Sequence, residues 1–445
     1  MKTHLTLIII ISLFSRTFAQ SVKTYYSLKQ ALNDSVKVKK LSLTGDSLNQ
    51  FSPEILKLRN LEEVDFESSQ TFNIDYAIPL LAKLKNLRKL WISDIKVVDL
   101  KGISELKALK ELSLDNVGIS ILPDEVGRLK NLREIDLDEN PQLNFEQAFQ
   151  VLSKIEGLKV LWLEKNRLST LPGNISKLKA LEELWLNDNE FVKIPSCVKM
   201  LKIKYVSFFS NKIEHLNLKK GDLINLNNIN LCYNNFKVFP AVELSLLPKL
   251  DTIKMWHANV RFIPKQIADI KNLKALNLEY NLISNLPPQL AKLKDLHVLE
   301  LTGNKLTADG VKSIYKLRKL KSLQLYRNNI KMISPEIGNL ESLTDLSICE
   351  NPLTEIPLSI SKLQRLQKIQ LGYYDKFDWA GAINILGKLP RLETVGLFKM
   401  KLSKMPDGFE RLSSVKQFWM SWNLFDKTEQ ERIKNLIPGA KFEFN

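Results

Sequence analysis

One phrase, Leu-x-x-Leu-x-Leu-x-x-Asn-x-Leu, recurs about every 23 residues along this chain of 445 residues. It is cleanest in Leu158 to Leu168 and in Leu273 to Ile283. A fixed period of this length indicates a repeat architecture, in which each unit stacks only on its neighbours. Because successive phrases begin 22 to 26 residues apart, the repeats leave little sequence for another domain. The seventeen phrases begin at Val38, Leu61, Leu87, Leu109, Leu132, Leu158, Leu181, Ile203, Leu226, Leu250, Leu273, Leu296, Leu320, Leu343, Leu366, Leu392 and Val415.

Positions four to six of the phrase are apolar, polar and apolar, which is the alternation of a short β-strand with one buried face. The remainder of each repeat supplies a turn and a helical segment, and no single repeat can bury its own leucines. Stacking the strands about 4.8 Å apart forms one parallel sheet over a leucine core. The Asn at position nine can then bond backbone groups of neighbouring turns. The sequence therefore predicts a horseshoe solenoid whose concave surface is the sheet.

The phrase resembles the leucine-rich repeat family, and the match runs from about Val38 to the C-terminus. Most second halves carry Leu-Pro-x-x-Ile or a close variant, as at Leu122, Leu171, Ile263 and Ile356. This is similar to the 23-residue subclass of bacterial secreted proteins and of intracellular plant and animal scaffolds. The resemblance implies an α/β solenoid with a concave parallel sheet and short helical or irregular convex segments. It also implies that ligands bind to the concave sheet.

The two ends of the chain carry different patterns. Residues 1–19 contain an apolar run from Leu5 to Phe14 and end in Ala19, which predicts a cleaved signal peptide. We expect an N-terminal cap over residues 20–37, the repeat array over 38–428 and a C-terminal cap over 429–445. Charges interrupt every later apolar stretch, so we expect no transmembrane segment in the mature chain. The predicted location is outside the cytoplasm: secreted, periplasmic or at the cell surface.

The three cysteines, Cys197, Cys232 and Cys349, are too few and too scattered for the Cys-rich caps of extracellular eukaryotic relatives. This pattern favours a bacterial protein. In the repeat register Cys232 and Cys349 are five strands apart, about 24 Å, which is too far for a disulfide. We interpret them as small apolar filler.

Tryptophan is concentrated on the predicted open face of the sheet. Six of the seven Trp residues fall at positions five, seven or eight of the phrase, which point away from the core. Strands favour aromatic residues in any case, but exposed aromatics in adjacent repeats are also typical anchors for a protein partner. A sugar chain stacking on the rings is the alternative. The predicted partner-binding residues are Trp162, Trp185, Phe209, Tyr233, Trp256, Tyr280 and Tyr326, with His257 in the same track.

Carboxylates cluster beside this aromatic track. Like charges on adjacent strands repel, so the cluster is either a solvated surface or a site for a cation or a basic partner. The patch comprises Asp115, Asp136, Asp138, Glu139, Glu164 and Asp188.

The chain carries a formal charge of +16, and pairs such as Lys83-Leu-Lys85 and Arg128-Leu-Lys130 recur just before the strands. Stacking would turn these pairs into a basic edge. Such an edge either keeps the array soluble or attracts an anionic glycan, a surface polymer or a lipid headgroup. We expect no nucleic acid partner.

Catalysis finds little support in the sequence. Beyond the signal peptide only His215, His257 and His297 remain, and none lies in a nucleophile or metal-ligand motif. We therefore expect no enzyme activity, cofactor or metal. The prediction is an exported binding protein that recognises a protein on its concave face. The alternatives are a polyanion- or glycan-binding protein that uses the basic edge, and a cation-dependent adhesin that uses the acidic patch.

Overall fold

The computed structural model describes residues 23–69, 72–97, 99–374 and 376–444. The predicted signal peptide, residues 1–19, lies outside the described residues. The chain divides into two compact units. The first unit comprises the described residues up to Asn166 together with Lys177–Ala180, and the second comprises Arg167–Ser176 and the described residues from Leu181 onward.

The first unit contains seven parallel strands within its described residues. Neighbouring strands pair in register, so that Leu90 lies beside Leu112 and Ile135 beside Leu161. The strands are β1 (Thr24–Tyr25), β2 (Lys40–Thr44), β3 (Glu63–Ser69), β4 (Lys89–Ile95), β5 (Glu111–Asp115), β6 (Glu134–Asp136) and β7 (Val160–Trp162). The helices are α1 (Leu28–Asn33), α2 (Ile74–Leu81) and α3 (Phe145–Leu152).

The second unit contains twelve parallel strands within its described residues, paired in the same way. They are β8 (Glu183–Trp185), β9 (Tyr205–Ser207), β10 (Asn228–Asn230), β11 (Thr252–Lys254), β12 (Ala275–Asn277), β13 (Val298–Glu300), β14 (Ser322–Gln324), β15 (Asp345–Ser347), β16 (Lys368–Gly372), β17 (Thr394–Phe398), β18 (Gln417–Trp419) and β19 (Lys441–Glu443). The α-helices are α4 (Ser196–Lys199), α5 (Ala241–Leu244), α6 (Trp379–Leu386) and α7 (Lys427–Leu436).

Most of the other repeats pass over the core on a short 3-10 helix. These helices are Gly45–Gln50, Pro53–Lys57, Ile103–Glu105, Asp124–Arg128, Gly173–Lys177, Lys265–Asp269, Pro288–Lys292, Asp309–Lys316, Pro335–Asn339, Leu358–Lys362 and Phe409–Leu412. A tight 3-10 turn suits segments of about five residues. The longer repeats have room for α2, α3 and α6.

The strand prediction is confirmed in all seventeen repeats, because each of β2 to β18 begins two residues after the first apolar position of its phrase. Positions four and six supply the core: Leu276 and Leu278 of one repeat are both fully buried. The polar position between them, Asn277, is only half-buried. The predicted fold class, an α/β leucine-rich repeat solenoid built on a parallel sheet, is therefore confirmed.

The ends of the array contain two strands that the repeat phrase does not predict, β1 and β19. At the N-terminal end, the Ser27 side chain caps α1 by accepting a hydrogen bond from the Gln30 amide. At the other end, the Phe442 ring stacks on Phe418 with their centroids 5.1 Å apart. These elements cover core surface that the first and last repeats would otherwise expose.

A ladder of asparagines, present at position nine in ten of the seventeen repeats, ties these repeats to their neighbours. Asn281 at position nine donates from Nδ2 to the carbonyls of Met255 (2.8 Å) and Leu278 (3.0 Å). Its Oδ1 accepts from the amides of Ala258 (3.1 Å) and Val260 (2.9 Å). One side chain thus satisfies backbone groups of two repeats that would otherwise be buried without partners.

Where position nine is not Asn, other groups replace part of the ladder. The hydroxyl of Tyr374 donates to the Ile348 carbonyl at 3.0 Å, a role that an asparagine amide plays elsewhere. Ala258 makes no such side-chain bond, and its amide instead donates to Asn281 of the following repeat. The array therefore tolerates a single gap, because the asparagine of the following repeat still bonds backbone groups of the repeat that lacks one.

Replacing Asn281 by Ala is expected to lower the free energy of unfolding by about 3 kcal/mol, because it leaves several buried backbone groups unsatisfied. Asn285→Ala, at an exposed asparagine of the same repeat, serves as the control and should change stability by less than about 0.5 kcal/mol. Urea unfolding followed by circular dichroism measures both. Equal effects of the two substitutions would contradict the role assigned to the ladder.

Candidate binding surface

The residue just before the ladder position has an unusual backbone. Tyr233, His257 and Tyr280 at position eight have φ of 52°, 51° and 50°, in the left-handed region. For an L-residue this conformation costs about 1–2 kcal/mol. It occurs before Ala258 as well as before Asn234 and Asn281, so the turn that follows each strand imposes it whether or not an asparagine comes next. The turn brings the position-eight side chains of successive repeats into one row on the open face of the sheet.

Five aromatic rings of the second unit contact one another on this face; we call them the ring cluster: Phe209, Tyr233, Trp256, His257 and Tyr280. They come from four consecutive repeats. Trp256 lies 4.7 Å from Tyr233 and 6.0 Å from Phe209, measured between ring centroids. Edge-to-face geometry, such as the 72° between Trp256 and Tyr233, is a favourable arrangement for aromatic pairs. Sequence-predicted residues are thus brought together at one place.

The centre of the ring cluster is a stack of three rings. His257 lies between Tyr233 and Tyr280, with both centroids 4.8 Å away and interplanar angles of 19° and 1°. The spacing equals the distance between strands, so the sheet itself sets the stacking distance. Gly303 occupies the next place in the row, and a Cβ there would lie 2.6 Å from Cδ1 of Tyr280. The faces of the stacked rings are thus largely covered, and their edges remain available to a partner.

The ring cluster is less exposed than the sequence suggests. Tyr280 is 36% exposed, whereas Phe209, Tyr233 and Trp256 are half-buried because the rings pack on one another. Packing fixes the side chains before any partner arrives, which reduces the entropy lost on binding.

The remaining predicted aromatics lie outside these ring contacts or in the other unit. Trp185 packs on Tyr205 at 4.6 Å, a position-three residue that the sequence reasoning missed. Tyr326 hydrogen-bonds to the carboxylate of Glu350. Burial is the main cause that raises the pKa of the phenol, and this hydrogen bond is the second. Trp162 belongs to the first unit, where it lies beside Asp136 on the neighbouring strand.

Two carboxylates lie beside the ring cluster: Glu279 in the turn that follows β12, and Glu300 at the end of β13. Asn277 donates to Glu279 at 3.2 Å and to Glu300 at 2.5 Å. Burial raises the pKa of both carboxyls, and Glu279 adds to the effect on Glu300. Burial also lowers the pKa of His257, so its ring favours the neutral form. This part of the face therefore offers hydrogen-bond acceptors next to apolar rings.

The first unit brings together five residues of the predicted acidic patch, and Asp188 falls in the second unit. Asp136 accepts hydrogen bonds from Ser113 Oγ (2.8 Å) and from the Asp138 amide (2.9 Å). Asp138 in turn accepts from the Glu164 amide at 2.5 Å, and Lys165 pairs with Glu139. Asp136, Asp138 and Glu139 are thus engaged by the protein itself, whereas Oδ1 of Asp115 is buried without a hydrogen-bond partner.

Burial has a marked effect on the protonation of this patch. It raises the pKa of Asp115 to about 7, with the charges of Asp136 and Glu139 adding to the effect. The pKa values of Asp136 and Asp138 are raised for the same reason, that of Asp138 well above its ordinary range. Among the described residues no group of three or more His, Cys, Asp or Glu side chains has an arrangement that could hold a metal ion.

The last repeats hold a second group of rings that the predicted site omits. Tyr373 lies 5.9 Å from Trp422, and Phe398 lies 6.4 Å from Trp419. Trp422 is 62% exposed. The sequence does place these tryptophans on the open face, since Trp419 and Trp422 occupy positions five and eight of their phrase. The predicted site omits them because the repeats between them and the ring cluster interrupt the row of aromatic residues.

The cysteines behave as expected for filler. All three cysteines are free. Cys232 and Cys349 are buried, and the repeat that contains Cys349 is the fifth after the one that contains Cys232. Burial raises the pKa of both thiols, to about 12 for Cys349, so neither is a reactive thiolate.

These features define the class of protein, and comparisons with known proteins agree. Residues 282–437 match the family model of the leucine-rich repeat region. The structure is similar to that of a leucine-rich repeat protein of Leptospira interrogans, with 28% identity and a TM-score of 0.66, over 95% of this chain and 100% of that one. The protein thus carries leucine-rich repeats: the family model identifies them in residues 282–437, and the structural likeness supports the same fold over most of the chain.

Two further proteins illustrate how widely this fold is used. The human volume-regulated anion channel subunit LRRC8B is 29% identical over 235 residues, which cover 51% of this chain and 29% of the subunit. The plant peptide hormone receptor RGFR1 in complex with RGF2 is 20% identical with a TM-score of 0.53, over 89% of this chain and 66% of the receptor chain. The second likeness shows the fold alone.

This chain spans less than a third of the length of the first curated relatives that it matches. Within the described ranges, no helix has both the length and the apolar character needed to cross a membrane.

The raised pKa of Asp115 predicts a pH-dependent stability. Between about pH 4 and pH 7 the unfolded carboxyl ionises while the folded one stays protonated, so stability falls as the pH rises through this window. Asp115→Asn is expected to be more stable than wild type by about 1 kcal/mol at pH 8 and equally stable at pH 4, after allowance for partial exposure. Thermal melts at the two pH values test this. The exposed Glu105→Gln of the same unit is the control, and a pH-independent difference would contradict the assignment.

Gly303 is expected to position the stacked rings. Gly303→Ala should displace Tyr280 from His257, which NMR would detect as a downfield shift of the His257 ring protons. Gly118→Ala is a matched control, because Gly118 has the same φ of 68° and a Cβ there would meet nothing within 4 Å. Both variants lose about 1 kcal/mol through backbone strain. An unchanged His257 spectrum in Gly303→Ala would refute this positioning role.

Proposed function

We propose that this protein is a non-catalytic, exported binding protein that recognises a protein partner through the ring cluster on the open face of the second unit. The observation that carries the proposal is the contact of five rings from four consecutive repeats at positions that the core does not require. We further assign the chain to the 23-residue subclass of bacterial secreted repeat proteins. The leader pattern of residues 1–19 supports export.

The chemistry of the surface favours a protein over other partners. Preformed aromatic clusters flanked by hydrogen-bonding groups are typical of the centres of protein interfaces. The ring edges and the Glu279 and Glu300 carboxylates provide such a combination. A peptide hormone is bound by the receptor named above, which supports the choice of a peptide or protein ligand for this fold.

The other predicted functions have less support. A sugar stacks on the face of an aromatic ring, and the faces of Tyr233, His257 and Tyr280 are largely taken by neighbours. A cation-dependent adhesin would need free carboxylates, whereas Asp136 and Asp138 accept hydrogen bonds from the protein and have raised pKa values. We therefore propose protein recognition as the principal function.

The experiment immobilises the full chain and compares the proteins that it captures from secreted and surface fractions of the producing cells. Trp256→Ala is expected to lose a specific captured protein, with an affinity loss of at least about 30-fold, because truncating a central aromatic anchor costs about 2 kcal/mol or more. A Tm within a few degrees of wild type would show that the array remains folded.

Trp422→Ala and Trp91→Ala serve as matched controls. The first removes the exposed Trp of the last repeats, and the second removes a Trp from the open face of the first unit. Retention of the captured protein by both controls and its loss from Trp256→Ala would support the proposal. Capture that survives in Trp256→Ala, or that disappears only in Trp422→Ala, would refute it.

A further inference from the structure

The turn segments of the first unit that precede β3 to β8 are strongly basic. We call the six turn segments the basic row. They contain fourteen Lys and Arg residues and three carboxylates. The segments are residues 57–62, 83–88, 105–110, 128–133, 154–159 and 177–180. All the cations except the half-buried Arg133 are exposed.

Few of these cations are neutralised by the protein. Lys57, Lys107 and Lys154 form ion pairs with nearby carboxylates. Four others, within the described ranges, form no ion pair: Arg59, Lys83, Lys85 and Arg128. The row therefore keeps a large uncompensated positive charge, which attracts counterions from solution.

A second set of asparagine bonds aligns the turns. Asn86 Nδ2 donates to the Arg59 carbonyl at 3.0 Å, and Asn131 Nδ2 donates to the Lys107 carbonyl at 2.8 Å. In the same way Asn60 donates to the Val36 carbonyl at 2.8 Å. The backbone beneath the cations is thus held in register from repeat to repeat, so the charges form an ordered line.

The open face of the same unit carries the opposite charge. Positions five, seven and eight of the five repeats that contain β3 to β7 hold eight carboxylates and one lysine. They are Asp65, Glu67, Asp94, Asp115, Asp136, Asp138, Glu139 and Glu164, with Lys165. Even with some of these groups protonated, the open face repels a polyanion, whereas the basic row attracts one.

We propose that the basic row binds a linear anionic polysaccharide, in addition to the protein partner of the second unit. A linear chain of sulfate or carboxylate groups can follow the line of turns and release the counterions that the row holds. The side chains around the cations favour this class of polymer over two others. The six segments contain no aromatic residue, whereas sites for single-stranded nucleic acids stack bases on aromatics. Their leucines, such as Leu58, Leu84 and Leu129, are buried and cannot insert into a lipid surface.

The test uses the full chain and a heparin fragment of defined length as the probe. Binding is measured between about 50 and 300 mM salt, a range over which the Debye length falls from about 14 Å to about 6 Å. The variant R59Q/K83Q/K85Q/R128Q removes four cations of the row that form no ion pair. It is expected to bind heparin at least tenfold more weakly than wild type and with a shallower dependence on salt.

The matched control, K237Q/R261Q/K265Q/K331Q, removes the same charge from exposed positions that follow the strands of the second unit. It should weaken heparin binding by less than about threefold, since distant charges act only through a screened field. The Tm of each variant shows whether it is folded. Trp256→Ala should bind heparin as wild type does, so this proposal and the protein-recognition proposal fail separately.

Three results would overturn the proposal. The first is wild-type protein that does not bind heparin at 150 mM salt, near the physiological ionic strength. The second is an equal loss in the row variant and the control, which would mean attraction to net charge alone. The third is tighter binding to single-stranded DNA or to vesicles of anionic lipid than to heparin of similar charge, which would assign the row to another class of macromolecule.

Discussion

The structure depends on one interaction above all, the hydrogen bonds of the buried asparagine at position nine. Asn281 shows the pattern, because it joins backbone groups of its own repeat to those of the preceding repeat. Without these bonds, the turn after the strand in each repeat that carries the asparagine would bury amides and carbonyls with no partner, at a cost of about 1–3 kcal/mol for each group. The preceding residue, Tyr280, has a left-handed backbone with φ of 50°, which an L-residue adopts only when its surroundings compensate.

The surface chemistry follows from this constraint. A fixed turn and a fixed strand spacing place the side chains of one position at regular intervals along the sheet, so a choice of residue in several consecutive repeats becomes a continuous feature. In the second unit aromatic choices at positions seven and eight produce rings 4.7 to 4.8 Å apart. In the first unit acidic choices at the same positions produce carboxyls with raised pKa values, and basic choices in the turns produce a row of exposed cations. Function can therefore change from unit to unit while the core stays the same.

The sequence predicts the repeats well, because burial in a stacked array depends on residue spacing alone. The phrase located every strand from β2 to β18, and it assigned Leu276 and Leu278 to the core. It also identified four members of the ring cluster as site residues and placed His257 in the same track. It did not reveal the strands β1 and β19, because neither lies within a repeat phrase.

The site's detail could not be predicted, because it depends on side-chain conformation rather than on position. Spacing indicates that Tyr280 faces outward but not that its ring lies against Gly303 and stacks on His257. It likewise gives no sign that Trp185 turns toward Tyr205. The protonation state of the carboxyls could not be predicted either. From the sequence alone each aspartate is expected to be charged at neutral pH, whereas burial raises the pKa of Asp115 to about 7.

The central claim is that a protein partner binds on the ring cluster. Hydroxyl-radical footprinting of the full chain, alone and bound to its captured partner, tests this residue by residue. The account predicts that the partner protects Trp256 and Tyr280 from oxidation several-fold and leaves Trp422 unchanged. Protection of Trp422 or of the Trp91 face, with Trp256 and Tyr280 oxidised as in the free protein, would contradict it.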